Sequence, residues 1–320
     1  MLYSDKFRPG RPPIRMKQNK IGILELRNDP FMADVISRLG DFPVEFLSFT
    51  DQPVPVSSEY KVVVDRLSYC YPYLKEMAKT MSLDGTYVIN NPFAASVNNK
   101  LVEATVCQSL GIPFPKSIVL PDPVLCEETV DLVSEPCWER AGDEVGFPCI
   151  LKPIDGYGWE GVYVIDTLAD LRERYAAVGS GRTWLLQQKV HYDLYYRIFC
   201  IDKRDILFVR WNPKPFDLGE YLYTDLKEIG SVREKLTEQI IQLNSYLDLD
   251  INAVEWCIDN NGQAWVVDAF NEVPDVPEEH LPHEYYWWIV DRFASCILDK
   301  LDPGKRNKSI FDLLLPQSSM

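Results

Sequence analysis

At 320 residues, 46% of them hydrophobic, the chain is long enough for two or three small domains that share clefts. Its formal charge of −15 argues against sequence-independent attraction to nucleic acid or to an anionic membrane, since both need clustered Lys and Arg. Eight scattered cysteines without a Cys-x-x-Cys pair argue against a disulfide framework or zinc site and for reduced thiols in a cytoplasmic protein, and no apolar run reaches the ~18 residues of a membrane span.

Residues 1–20 carry Lys6, Arg8, Arg11, Arg15, Lys17 and Lys20 among prolines and glycines, lack the apolar segment of a signal peptide, and read as a flexible basic tail. Strands are predicted at 21–26, 61–65 and 86–89, with helices at 31–39 and 73–79 between them. That alternation predicts a small parallel α/β domain over 21–93. Asn90-Asn91-Pro92 then breaks the chain. A helix over 96–110, a strand at 117–120, a polar loop over 121–136, strands at 147–154, 161–166 and 184–190 and a helix at 169–177 make an α+β lobe over 94–190. Paired strands at 196–201 and 205–211, a helix at 233–247, strands at 253–258 and 264–269 and a closing helix at 285–301 form a second lobe over 191–302. Asn-Gly in the turn 259–262 favours a hairpin, because both residues tolerate positive φ. Residues 303–320 read as a loose tail. The fold class is mixed α/β.

The segment 150–162, "ILKPIDGYGWEGV", places Gly156-x-Gly158-x-x-Gly161 after a lysine-bearing apolar run. A dinucleotide fingerprint would open a helix at these glycines, but "VYVI" after Gly161 is a strand. A phosphate loop of the Gly-Lys-Ser/Thr kind is absent. In protein kinases the phosphate-pairing lysine follows the loop, whereas Lys152 precedes it, and neither His-Arg-Asp nor Asp-Phe-Gly occurs. A glycine loop bent between two strands can still fold over phosphates, because small residues let backbone N–H groups approach the anion.

Lysine strand, glycine loop and strand, in that order, resemble the ATP-grasp superfamily. Asn98-Asn99-Lys100, opening a helix that leads to "LGIPFPKS", is similar to its first lysine motif, and "FPCILKP" around Lys152 to its second. "WLLQQKV" (184–190) resembles the strand that meets adenine, and "AVEWCIDNNGQAWVVDAFNEVPDV" resembles the metal-binding hairpin. The resemblance spans about 21–301. It implies ATP and Mg²⁺, with Mn²⁺ as an alternative ion, and an ATP-dependent ligase joining a small-molecule carboxylate to an amine or thiol through an acyl phosphate. A small-molecule kinase of the inositol phosphate type on the same fold, or a non-catalytic nucleotide-binding module, stays open. A homodimer is compatible with either. The resemblance gives the nucleotide Lys100, Lys152, Gly156, Gly158, Gly161 and backbone groups of Gln188, Lys189 and Val190. The usual hinge acid is Gln188 here, so the ribose contact falls to Asp193.

The chemistry stands beside the resemblance. Two lysines reaching one cleft from different segments suit a polyphosphate. Glu255, Asp268 and Asn271 offer hard oxygen donors that match Mg²⁺. Asp268 ends the apolar run 265–267, where a carboxylate is costly unless it meets a cation. The superfamily spaces its last two metal ligands two apart, yet Asp268 and Asn271 are three apart. A bulge at Ala269–Phe270 would return Asn271 to the metal; without it Glu272 or Asp275 could substitute. Arg197 and Arg210, on adjacent strands, suit a clamp on the transferring phosphoryl group or a pair of sheet-surface ion pairs.

Overall fold

The computed structural model describes residues 18–49, 58–122, 134–156, 158–178, 181–214, 219–230 and 232–309. The predicted basic tail up to residue 17, most of the loop predicted over 121–136, and the chain beyond 309 lie outside the described residues. Two compact units divide the chain, one of Met1–Phe93 with Ala294–Met320, the other of Ala94–Phe293.

In the first unit the order is β1 (Gln18–Leu24), α1 (Pro30–Ser37), β2 (Val44–Phe46), β3 (Tyr60–Asp65), α2 (Pro72–Leu83) and β4 (Tyr87–Ile89). The strands pair in parallel in the order β2-β1-β3-β4, the sheet expected from the alternation of strands and helices. Lys20, predicted to end the tail, sits inside β1 and pairs with Glu45 at 2.6 Å and Glu59 at 3.3 Å. Asp29 starts α1 by accepting from Met32 N–H, with Pro30 pre-set for the first turn. Leu74, Ala78 and Met81 of α2 pack on Val63 and Val88, which closes this core. The segment predicted as a loose tail from 303 is anchored as far as it is described. Asn307 is buried, donates to Val88 O and accepts from Val88 N–H, each at 2.8 Å. An amide side chain thereby satisfies the edge of β4 that a neighbouring strand would otherwise take.

The second unit begins within α3 (Pro92–Val97), followed by α4 (Lys100–Ser109), β5 (Ser117–Leu120), α5 (Trp138–Val145), β6 (Cys149–Pro153), β7 (Tyr163–Ile165), α6 (Leu168–Ala177) and β8 (Trp184–Gln188). The single helix predicted over 96–110 is two, because Asn99 is extended (φ −164°, ψ 167°) and caps α4 by accepting from Leu101 and Val102 N–H. Strands β5-β8-β6-β7 form an antiparallel sheet, and Trp138, Ala141, Leu171 and Tyr175 from α5 and α6 cover it. The chain continues with β9 (Leu194–Ile201), β10 (Asp205–Asn212), β11 (Glu220–Leu222), α7 (Leu226–Ile229), α8 (Val232–Tyr246), β12 (Ile251–Ile258), β13 (Ala264–Asp268) and α9 (His283–Asp299). A second antiparallel sheet runs β11-β10-β9-β12-β13.

One face of this sheet is apolar. Tyr196, Ile198, Cys200, Val254, Trp256 and Val266 meet Leu236, Ile240 and Leu243 of α8 and Val106 of α4. The period-2 alternation of strands sends Tyr195, Arg197 and Glu255 to the other face. The hairpin turn forms as its sequence demands, with Gly262 at φ +77° and its N–H on Asp259 O. Cys70, Cys107, Cys137, Cys149, Cys200, Cys257 and Cys296 form no disulfide, and burial pushes Cys107, Cys200 and Cys257 up to about 12. No helix among the described residues is long and apolar enough to cross a membrane.

Candidate active site

The polar face of the five-stranded sheet carries a row of charge. Glu255 on β12 pairs across the ladder with Asp268 on β13 and, on its other side, with Arg197 on β9. Cross-strand partners share a face, so the two acids and the guanidinium are neighbours. The register shifts just before Asp268, since Trp256 pairs with Val266 but Glu255 with Asp268, so Val267 is the extra residue and Asp268 leaves the apolar face on which Val266 lies. Continuing two steps from the Glu255–Asp268 pair would set residue 270 opposite 253, yet Ala253 N–H donates to Asn271 O at 3.2 Å. Asn271 N–H is held by Asn252 Oδ1 at 2.7 Å. With its amide oxygen facing the guanidinium, Asn271 accepts from Arg197 Nη2 at 2.8 Å and donates to Val273 O at 3.2 Å.

Lys100, the first residue of α4, reaches these acids, with Nζ 2.6 Å from Asp268 Oδ1 and 3.1 Å from Glu103 Oε1. Glu103 is fully buried and its second oxygen accepts from Ala269 N–H at 3.0 Å. Burial, then the nearby Asp268, pushes Glu103 up to about 7. Burial alone would lower Lys100, but Asp268 and Glu103 outweigh it and hold its pKa raised. Burial and then Asp268 also raise Glu255, whose Oε2 accepts from Tyr195 Oη at 2.6 Å. Glu272 is raised by burial and accepts from Asn98 Nδ2 at 2.8 Å.

Lys152 enters the same electrostatic neighbourhood from β6. Its ammonium forms no hydrogen bond or ion pair with any described residue, and burial followed by repulsion from Lys100 pushes it down to about 8. The glycine segment follows directly. Gly158 (φ +59°) and Gly161 (φ +71°) adopt the left-handed conformation, and a Cβ on Gly156 would stand 2.7 Å from the Pro153 ring. Arg182 holds this segment through Asp155 at 3.2 Å. At the end of β8, Gln188 exchanges hydrogen bonds with the backbone of Lys116, whereas Lys189 and Val190 leave their backbone groups unbonded among the described residues. Carboxylates gathered at a sheet edge are a donor set that fits a divalent cation, and a half-buried ammonium without a partner among the described residues suits the polyanion that cation would bridge to.

No family model and no curated protein matches the sequence. Solved structures do match along nearly their whole length. Among them are the ATP-grasp ligase PsnB complexed with a minimal precursor (15% identity, 88% of this chain and 99% of that one, TM-score 0.62). A RimK domain ATP-grasp protein from Sphaerobacter thermophilus matches at 16% identity over 87% and 99% of the two chains, with TM-score 0.62. D-alanine–D-alanine ligase from Bacillus anthracis, complexed with ATP, matches at 14% identity over 88% and 97%, with TM-score 0.63. The chain has the ATP-grasp fold.

Within this ATP-grasp fold the structure gathers Lys100, Lys152, Glu255, Asp268, Arg197 and, through Arg197, Asn271. It does not bring Arg210 to them. Arg210 faces Tyr196 across the ladder while Arg197 faces Val209, so the two arginines point to opposite faces. Arg210 instead donates to Asp193 O at 3.1 Å, sits 3.8 Å from Glu228 and lies over the Tyr196 ring. The one-sided arginine clamp expected from their adjacent strands is therefore corrected. Asp193, expected at the ribose, is exposed, and its backbone is taken up by Arg210 and Ile258.

Three site residues escape sequence reasoning. Glu103 lies one helical turn from Lys100, a spacing that marks a partner but not its burial. Tyr195 stands two residues before Arg197, hence on the same strand face. Tyr221, which accepts a hydrogen bond from Arg197 Nη1, belongs to a three-residue strand too short to show a period.

Proposed function

We propose that this protein is an ATP- and Mg²⁺-dependent ligase that joins a substrate carboxylate to an amine or thiol through an acyl phosphate. The observation that carries the reading is the desolvated ammonium of Lys152, without a partner among the described residues, beside the acids of β12 and β13 on an ATP-grasp fold. Lys152 and Lys100 would neutralise the polyphosphate, with the Gly156, Gly158 and Gly161 backbone against it. The free backbone groups of Lys189 and Val190 would meet adenine. Glu255 and Asp268, with Asn271 beside them, would hold Mg²⁺, which when bound screens the phosphate oxygens during transfer.

In the first step a carboxylate oxygen attacks the γ-phosphorus and the bond to ADP breaks. In the second the amine or thiol attacks the acyl carbon, phosphate leaves, and the nucleophile's proton passes to solvent. Arg197 faces the growing charge on the transferring group, so the protein contributes charge and position, not a covalent nucleophile. That the matched solved structures include an ATP-grasp ligase complexed with a precursor peptide and a D-alanine–D-alanine ligase supports this over phosphorylation of an alcohol.

The deciding experiment incubates the protein with ATP, Mg²⁺ and pooled carboxylates and amines, and follows the products by mass spectrometry. ADP and free phosphate formed with a condensed product, and a hydroxamate trapped by hydroxylamine with the acid alone, are expected. The γ-phosphate recovered on a stable product, without hydroxamate, would establish a kinase instead.

A further inference from the structure

The acids of the site share a pattern. Asp268 has one oxygen on Lys100, Glu272 has one on Asn98, and Glu255 has Oε2 on the hydroxyl of Tyr195. The last differs from the others because its donor is a neutral phenol on the same sheet face. Tyr195 pairs with Cys257 and Arg197 pairs with Glu255, so the phenol reaches one step diagonally along the ladder. Its ring is buried and packs edge-on against Tyr192 with centroids 5.0 Å apart, which fixes where the hydroxyl points. Oε1 of Glu255 has no partner among the described residues.

We propose that Tyr195 determines ion selectivity, by biasing Glu255 toward holding the cation through one oxygen. The inference rests on the metal site of the ligase reading. Mg²⁺ needs a tight octahedron at about 2.0–2.1 Å and takes one oxygen per carboxylate readily, whereas Ca²⁺ accepts both oxygens of one carboxylate in a looser, larger shell. A hydroxyl held on Oε2 occupies one of its lone pairs and fixes the plane of the carboxylate, which weakens the two-oxygen mode on which the larger ion relies. Tyr195 is thus a positioning residue, acting through Glu255.

The test is Tyr195→Phe, which keeps the ring, with Tyr195→Met as a second variant lacking the hydroxyl. Calorimetry on the full chain with saturating ADP, titrated separately with Mg²⁺ and Ca²⁺, reads the ratio of the two affinities, and thermal melts verify folding. Both variants should shift that ratio toward Ca²⁺ by about tenfold, the scale on which groups holding a metal ligand act. Equal loss of both affinities, as a merely structural role gives, or an unchanged ratio in a chain that binds Mg²⁺, would overturn the inference alone. No ion binding by the unsubstituted chain would overturn the metal-site reading and this inference with it.

Discussion

Lys100 and Lys152 lie near the same acids and are bonded in opposite ways. Lys100 is committed, since its ammonium bridges Asp268 and the buried Glu103 and its pKa is raised. Lys152 is uncommitted and pushed down to about 8. One cation is tied into the packing of the site and the other, on the proposed reading, would meet the polyphosphate, so equal charge at the two positions conceals unequal surroundings. A desolvated charge without a partner costs stability.

The comparison can be broken by exchanging each lysine for an uncharged residue. Lys100→Met should destabilise the second unit by about 3 kcal/mol or more in urea unfolding, because it leaves Glu103 buried and unpaired. Lys152→Met should do the reverse and stabilise by about 1–3 kcal/mol at pH 7. If the two substitutions shift the unfolding midpoint alike, the distinction fails. Asp268→Asn removes the acid that Lys100 and the cation would share, and turnover with Mg²⁺, followed as ADP release, should fall by at least about 100-fold. Nucleotide affinity separates the lysines again: Lys152→Ala should weaken ATP binding by roughly 1.5–3 kcal/mol, the size of a charge-assisted contact, as measured by calorimetry.

Acidity sharpens the contrast. With Lys152 near 8 against an ordinary 10.5, the free protein loses this proton as pH rises through 8. Since the polyphosphate needs the charged form, ATP affinity should fall by up to about tenfold per pH unit above 8. Between 8 and 10.5 the unfolded chain holds a proton that the native one lacks, so stability should rise with pH in that window. Lys152→Met should lose both trends. The smallest effect concerns the arginine on the far face. Arg210→Lys should cost about 1 kcal/mol of stability through its contacts to Asp193 and Glu228 and leave ATP affinity within about twofold.

The lysine strand, the glycine segment and the acid hairpin are legible in the sequence because each has a local signature of spacing or turn chemistry. The parallel sheet of the first unit is legible for the same reason, since long apolar runs alternate with helical patterns. What escapes is short or depends on register. Strands β2 and β11 have three residues each, too few to display a period of two. Helix α5 follows directly on a proline-bearing loop, and its Cys137 N-cap gives no side-chain hydrogen bond to announce it. The start of a helix at Asn98-Asn99-Lys100 is legible, for asparagine is a preferred cap, whereas the apolar spacing that continues upstream hides the break before it. Arg210 is on the expected strand and the wrong face, because facing is set by which residues the hairpin pairs and not by the composition of either strand.

That pairing is set at the β9–β10 turn, where Asp202 (φ +53°) and Lys203 (φ +57°) both adopt the left-handed conformation and Arg204 N–H closes on Ile201 O. Elsewhere a surface turn tolerates an added residue, because only the loop lengthens. Here one residue gained or lost would slide one strand against the other by a single step. Val209 would then no longer stand opposite Arg197, and Arg210 would move toward the face that holds the acids. Homologous chains should therefore keep the number of residues in this half-buried turn as strictly as a catalytic side chain.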